Sequence, residues 1–271
     1  MSTYVEHSSI DDSRVEWNHV TIPDTIRTHR GTLVEMVERP EWGMTCYMDR
    51  VIQSCEQDES LYHESLVHPV MASTGCRKRV MIIGGGEGAT AREVLKWPDV
   101  EQVDMYEWDK DVVSLFSTKY TQWAKGAWEN PKLSIHYEDI FETICCYPSK
   151  RYDIIIVDLF DPSEDNMASW AALFQHLPYW MNENGAMALY AGIRSITMVP
   201  QPYQRLFNII RSNWNSSDKE IISYRVFIPS FLGESTFILL KSRAYQSTID
   251  RVIPYSHITK DIWKSYKEFN W

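Results

Sequence analysis

With 271 residues, 44% of them hydrophobic and 24% charged, the chain has the composition of a folded globular protein, with room for one large core and a small accessory element. Its formal net charge of −10 disfavours nucleic acid and suits a cationic ligand if carboxylates converge in one cleft. No apolar run approaches the roughly 20 residues of a membrane helix, and the polar start MSTYVEHSSIDDSR lacks a signal-peptide core, so a cytoplasmic address is the expectation.

The first part of the chain reads as extended. TLVEMVER and MTCYMDRVIQ are β-prone runs joined by the turn-forming PEWG, which predicts a hairpin. Between Asp58 and His68 the spacing of Leu61, Tyr62, Leu66 and Val67 is helical, with Asp58 as N-cap and Pro69 near the end. Residues 1–70 are expected to form this β-hairpin region with its linking helix, and residues 71–271 the main domain.

From Arg79 onward β-rich and helical stretches alternate: RVMIIGGGEG, TAREVLKW, VEQVDMYEW, KDVVSLFSTKY, KLSIHYED, then IFETICCY to YDIIIVDLF. Alternation of this kind predicts a mostly parallel α/β sheet, and the runs VMII and DIIIV, apolar without strict alternation, belong at its centre with helices on both faces. MASWAALFQHLPYW and QPYQRLFNIIRSNW read as helices around the strand AMALYAG. IISYRVFIP and STFILLKS, joined through SFLGE, read as an antiparallel hairpin at one sheet edge. The aromatic tail DIWKSYKEFNW reads either as a docked helix or as a partner surface.

The five cysteines, Cys46, Cys55, Cys76, Cys145 and Cys146, are odd in number and lack CxxC spacing, which signals neither a zinc site nor a disulfide framework. Carboxylates carry more information. Gly84, Gly85, Gly86 and Gly88 follow a buried strand and precede a helix beginning near Thr90, where a tight turn lets a ligand approach backbone N–H groups. Glu87, inside this turn, would repel a pyrophosphate or an amino-acid carboxylate and attract an ammonium group. One strand later come Glu107 and Asp109; Glu107 is the choice to hold ribose hydroxyls. After the next strand Asp139 is placed to accept from an adenine amino group. Ligands of open α/β sheets bind outside the carboxyl ends of the strands, so Glu87, Glu107 and Asp139 are expected to face one crevice. The fourth strand ends in DLFDP, where Asp158 and Asp161 form a cation site. A metal is the lesser alternative for that pair, since hard ions want more oxygen ligands and no DxDxDG loop or histidine cluster is present.

Together these residues resemble the spermidine synthase family of polyamine aminopropyltransferases, from about Thr32 to Lys241. YMDRVIQSCEQDESLYHESLVHPVM is similar to the stretch that closes the family's N-terminal hairpin, and GGGEGATAREV to its cofactor loop. Glu87, YHESLVHP and IPSF look most like the thermospermine synthase branch. The resemblance implies a Rossmann-like, methyltransferase-type fold, decarboxylated S-adenosylmethionine as co-substrate, a polyamine acceptor, methylthioadenosine as product, no metal, and a homodimer or higher homo-oligomer. It implies donor contacts from Gln53 and His63 with Glu87, Glu107 and Asp139, and amine contacts from Tyr62, Asp161, Tyr190 and Phe231. It makes Asp158 the general base, because an amine must lose its proton before its lone pair can attack.

The chain also departs from the family. Ser163, Glu164, Asp165, Asn166 and Met167 follow DP where glycine and proline are usual. Tyr190 replaces a strand-end glutamine, Phe231 a substrate-binding tyrosine, and Ile140 a small residue after Asp139. These changes bear on the acceptor rather than on the proposed base. The rival readings are a transferase of methyl or aminocarboxypropyl groups from intact S-adenosylmethionine, and a cofactor-binding homologue without turnover.

Overall fold

The computed structural model of the chain describes residues 2–9, 11–194, 201–214, 217–245 and 257–267. An antiparallel five-stranded sheet comes first, in the order β1-β2-β3-β4-β5: β1 (Ser2–His7), β2 (Arg14–Arg27), β3 (Leu33–Arg39), β4 (Gly43–Met48) and β5 (Val51–Cys55). The expected hairpin is β3–β4, with Val34 opposite Met48 and Arg39 opposite Gly43. Its second run, however, is two strands, because Asp49 and Arg50 adopt positive φ and turn the chain between β4 and β5. The accessory element is therefore a whole sheet, extended by β1 and β2, whose polar, weakly alternating sequences give little β signal.

Helix α1 (Glu59–Met71) follows, with Asp58 at its N-cap position. The Asp58 side chain does not cap the helix; its Oδ2 accepts from the Ser230 amide at 2.7 Å, tying the start of α1 to the C-terminal hairpin. Leu66, Val67 and Val70 of this helix are fully buried in the core of the second sheet.

That sheet has seven strands in the order β11-β12-β10-β9-β6-β7-β8, comprising β6 (Arg79–Gly84), β7 (Gln102–Tyr106), β8 (Leu133–His136), β9 (Tyr152–Asp158), β10 (Met181–Arg194), β11 (Lys219–Ile228) and β12 (Gly233–Ser242). Strands β6 to β10 are parallel neighbours, and β12 and β11 pair antiparallel at the edge, as the sequence predicts. Between them run α2 (Ala89–Leu95), α3 (Lys110–Thr118), α4 (Ile140–Thr143), α5 (Met167–Trp180) and α6 (Gln201–Asn213). The uninterrupted apolar runs now have their reason. Val80, Ile82, Ile154 and Ile156 pack on one side with Val67 and Trp97, whereas Met81, Ile83, Ile155 and Val157 pack on the other with Trp170 and Phe174. Both faces are covered, so the middle residues of β6 and β9, Val80–Ile83 and Ile154–Val157, are apolar without alternation, each buried side chain contributing about 1.5–3 kcal/mol.

Beyond the sheet lies α7 (Lys260–Lys267), which docks Trp263 edge-on against Tyr224 of β11 at 4.8 Å between ring centroids. The aromatic tail is thus a docked helix as far as Lys267; its last four residues lie outside the described part. Of the cysteines, Cys46 and Cys55 are buried and Cys76, Cys145 and Cys146 exposed, all with free thiols. Among the described residues no helix is long and apolar enough to cross a membrane.

Candidate active site

Strand order reverses between β6 and its neighbours: the chain proceeds from β6 to β7 and β8 on one side, then returns to β9 on the other. Loops leaving β6 and β9 therefore diverge and open a crevice at their carboxyl ends. A cavity of about 610 Å³ lies there, floored by the turns after β6, β7, β8 and β9 and roofed by the five-stranded sheet through Ser9, Thr32, Met48, Asp49 and Gln53. Three turns of the small sheet, β1–β2, β2–β3 and β4–β5, thus point at one site.

The strand ends deliver the expected carboxylates. Glu87, Glu107, Asp139, Asp158 and Asp161 all line the cavity, as do Gly84, Gly85, Gly86, Gln53, Tyr62, Tyr190 and Phe231. His63 and Gly88 do not; His63 stands behind Glu87, and Gly88 begins α2. The glycine turn is shaped by its neighbours. Gly84 has φ of +84°, and a Cβ there would fall 2.0 Å from the Asp158 carbonyl oxygen. At Gly86 a Cβ would meet Glu107 Oε2 at 3.0 Å, so glycine is what lets Glu107 lean over the turn.

Glu107 accepts from the Asp109 amide at 2.9 Å through Oε1. Burial, with Glu87 and Asp109 adding like charge against that bond, pushes its carboxyl up to about 7. Asp109 also lines the cavity, but its Oδ1 caps α3 by accepting from the Asp111 amide at 3.0 Å, whereas Glu107 is the acid that leans over the glycine turn. Asp139 caps α4, accepting from the Phe141 amide at 2.9 Å.

On the other side of the cavity Asp158 accepts from the Tyr62 hydroxyl at 2.8 Å and from the Thr90 hydroxyl at 2.5 Å. Its carboxyl is held above the usual aspartate range, first by burial and then by the charge of Glu87. Asp161 is likewise raised by burial, although the Ser9 and Tyr190 hydroxyls that bond to it pull the other way. Tyr62, Tyr190 and Phe231 form one aromatic wall, with centroid separations of 5.3, 5.7 and 6.3 Å, between these two acids. Phe231, in the 3-10 turn after β11, adds a face and no hydroxyl. Two carboxylates spaced along an aromatic wall suit a flexible chain carrying several ammonium groups.

Thr90, Ser9, Thr32 and Trp108 are site residues that the sequence reading missed. Thr90 lay in plain view three residues after Glu87, on the first turn of α2. Ser9 and Thr32 gave no signal, because turns that meet a distant sheet carry no local pattern. Trp108 is 47% exposed at the cavity rim, with the Arg30 guanidinium 5.1 Å from its ring.

Ligand atoms of His63, Glu87 and Asp158 lie within 4.8 Å of one another, close enough for an ion. The donor set fits one poorly: both Asp158 oxygens accept from protein hydroxyls, and the His63 nitrogen faces a Glu87 oxygen at 2.8 Å.

Residues 59–251 match the family model of the spermine/spermidine synthase domain. The polyamine aminopropyltransferase 1 of Hyperthermus butylicus is 32% identical over 209 residues, which span 74% of this chain and 69% of that one. That of Pyrobaculum calidifontis is 33% identical across 75% of this chain and 70% of its own. The fold resembles the crystal structure of spermidine synthase from Thermotoga maritima, with a TM-score of 0.84, 19% identity, and coverage of 99% of this chain and 92% of that one. It equally resembles a spermidine synthase in complex with the transition-state analogue AdoDATO, with a TM-score of 0.85.

Proposed function

The chain belongs to the spermine/spermidine synthase family, and on that premise we propose that it is a polyamine aminopropyltransferase, moving an aminopropyl group from decarboxylated S-adenosylmethionine to putrescine or a longer polyamine and releasing methylthioadenosine. Glu87 carries this reading. It lies in the glycine turn where other Rossmann-like domains receive an anion, and it shares the cavity with the acids of the amine side. A carboxylate there attracts a donor that ends in an ammonium and opposes one that also carries a carboxylate.

Glu107 holds the ribose hydroxyls and Asp139 the adenine amino group, while Gln53 reaches down from β5. The acceptor lies along Tyr62, Tyr190 and Phe231, with Asp161 anchoring one ammonium and Asp158 facing the amine that reacts. Asp158 takes the proton from that ammonium; the freed lone pair forms the N–C bond as the C–S bond breaks and its electron pair returns to sulfur. An aliphatic ammonium near 10 and a carboxylate near 4 are poorly matched, and the raised Asp158 narrows the gap. Aligning nitrogen, carbon and sulfur in line supplies up to several kcal/mol more without a metal. Glu87, YHESLVHP and IPSF look most like the thermospermine synthase-like branch, and a cytoplasmic homodimer or higher homo-oligomer completes the proposal, the oligomer on family likeness.

The test is to incubate the protein separately with decarboxylated and intact S-adenosylmethionine, each against putrescine, spermidine and spermine, and to identify products by mass. Methylthioadenosine and an amine heavier by one aminopropyl unit, from the decarboxylated donor alone, are the expected result. Product from the intact donor alone, or from neither, overturns the assignment.

A further inference from the structure

Behind the cavity wall, α1 and α2 bury a chain of charges that ends on Glu87. Glu93, with no exposed surface, is contacted by Arg92 Nε at 2.7 Å, Lys96 Nζ at 2.6 Å and His68 Nε2 at 3.0 Å. The Arg92 guanidinium grips Glu59 bidentately, both N···O distances being 2.9 Å. Glu59 in turn faces His63 Nδ1, with Oε2 at 3.0 Å and its backbone carbonyl at 2.6 Å, and His63 Nε2 lies 2.8 Å from Glu87 Oε1. His63 is 1% exposed.

A neutral imidazole has one N–H donor and one acceptor nitrogen. Among the described residues both nitrogens of His63 face only carbonyl or carboxylate oxygens, so a neutral ring would set a lone pair against an acceptor oxygen. Two protons satisfy every contact. The charges require the same: Glu87, Asp158 and Glu107 crowd one cavity, and like charges at such range do not all ionise without a counterion. Asp158 meets two neutral hydroxyls, whereas Glu87 meets His63.

We propose that His63 is a resident imidazolium, held in that form by Glu59 and Arg92 from behind the cavity wall, and that it keeps Glu87 ionised for the donor's ammonium while leaving Asp158 the more basic acid. His63 is then a counterion to Glu87 and not a donor contact, consistent with its absence from the cavity lining. Glu59, also outside the lining, is a positioning residue. The groups facing His63 are Glu59 and Tyr62 of its own helix, Glu87 of the β6–α2 turn and Asp158 of β9, with Arg92 of α2 behind Glu59 and Cys46 of β4 beside Glu87. Burial pulls the imidazolium down, but Glu59 and Glu87 outweigh it and raise it to about 10, and Glu59 is held at about 2, where burial loses to His63 and Arg92.

The first test needs no activity. Imidazole-nitrogen NMR of the wild-type chain at about pH 8.5, well above an ordinary histidine near 6.5, is expected to show one ring protonated on both nitrogens, assigned by its loss in H63Q. A neutral His63 in the wild type overturns the proposal, whether or not any variant folds. The second test rests on the aminopropyl-transfer reading. E59Q, with its fold checked by thermal unfolding, is expected to lose the doubly protonated ring and to raise the donor KM about tenfold, the effect of weakening one charge-assisted contact. Its affinity for methylthioadenosine, which has no ammonium, is expected to stay within about twofold. E59D, which keeps the charge, is expected to retain the imidazolium. Equal losses for donor and methylthioadenosine in E59Q overturn the role of Glu59. Absence of turnover in the wild type refutes the reaction instead, and leaves the NMR result standing.

Discussion

Replacing Glu87 with glutamine removes one charge from the cavity and keeps the side chain's size. An ammonium about 4 Å from a carboxylate gains about 4 kcal/mol at an effective dielectric of 20. Glu87 is partly exposed and shares its charge with His63 at 2.8 Å, and the glutamine amide oxygen still accepts a hydrogen bond, so about 2 kcal/mol of that is at stake. This corresponds to a loss of about 30-fold in kcat/KM for the decarboxylated donor. An intact donor loses the same attraction but is also relieved of repulsion on its carboxylate, so discrimination between the two donors narrows. Steady-state kinetics with both donors, alongside calorimetric binding of methylthioadenosine, measures the three quantities. Unchanged discrimination, or a matching loss of methylthioadenosine affinity, would refute the assignment of Glu87 to the ammonium.

Asp158→Asn keeps the bonds from Tyr62 and Thr90 in outline but removes the base, so kcat is expected to fall about 10²- to 10³-fold with methylthioadenosine affinity within about threefold. Tyr62→Phe removes the 2.8 Å bond to Asp158 and is expected to lower kcat/KM for the amine about tenfold while the donor KM stays put. Glu107 links pH to stability: its folded value of about 7 against an ordinary 4.5 means the folded state binds the proton more tightly, a contribution of about 3 kcal/mol. That contribution is fully present below about 4.5 and is lost as pH rises through 7. Glu107→Gln is accordingly expected to unfold at a higher temperature than the wild type at pH 8 and at a similar one near pH 4, while binding methylthioadenosine more weakly; a wild type with no stability loss between these pH values would contradict the burial argument.

Much of the site was legible because its residues sit where local chemistry leaves marks. Gly84 and Gly86 stand where a Cβ would strike the Asp158 carbonyl or crowd Glu107, and acids after four successive strands stand at the carboxyl ends where the sheet opens. The roof was not legible. β1 and β2 are polar and half exposed, so their sequences carry no clear alternation, and MTCYMDRVIQ hid a turn at Asp49 and Arg50 because neither residue announces positive φ. Asp58 was rightly placed at a helix start, yet its carboxylate bonds to Ser230, 172 residues away.

The sequence alone determined the doubly wound sheet, the antiparallel edge, the glycine turn with its misplaced-looking glutamate and the order of acids along the strand ends, because periodicity and turn chemistry act over a few neighbouring residues. Only the tertiary structure decided that the small sheet closes the cavity with Ser9 and Thr32, that Tyr62 and Thr90 share Asp158, and that His63 lies behind Glu87 with Glu59 and Arg92 at its back. Those bonds join residues 24 to 96 positions apart, and hydrogen bonds and charge pairing across such separations depend on where packing brings the elements together, which no local pattern encodes.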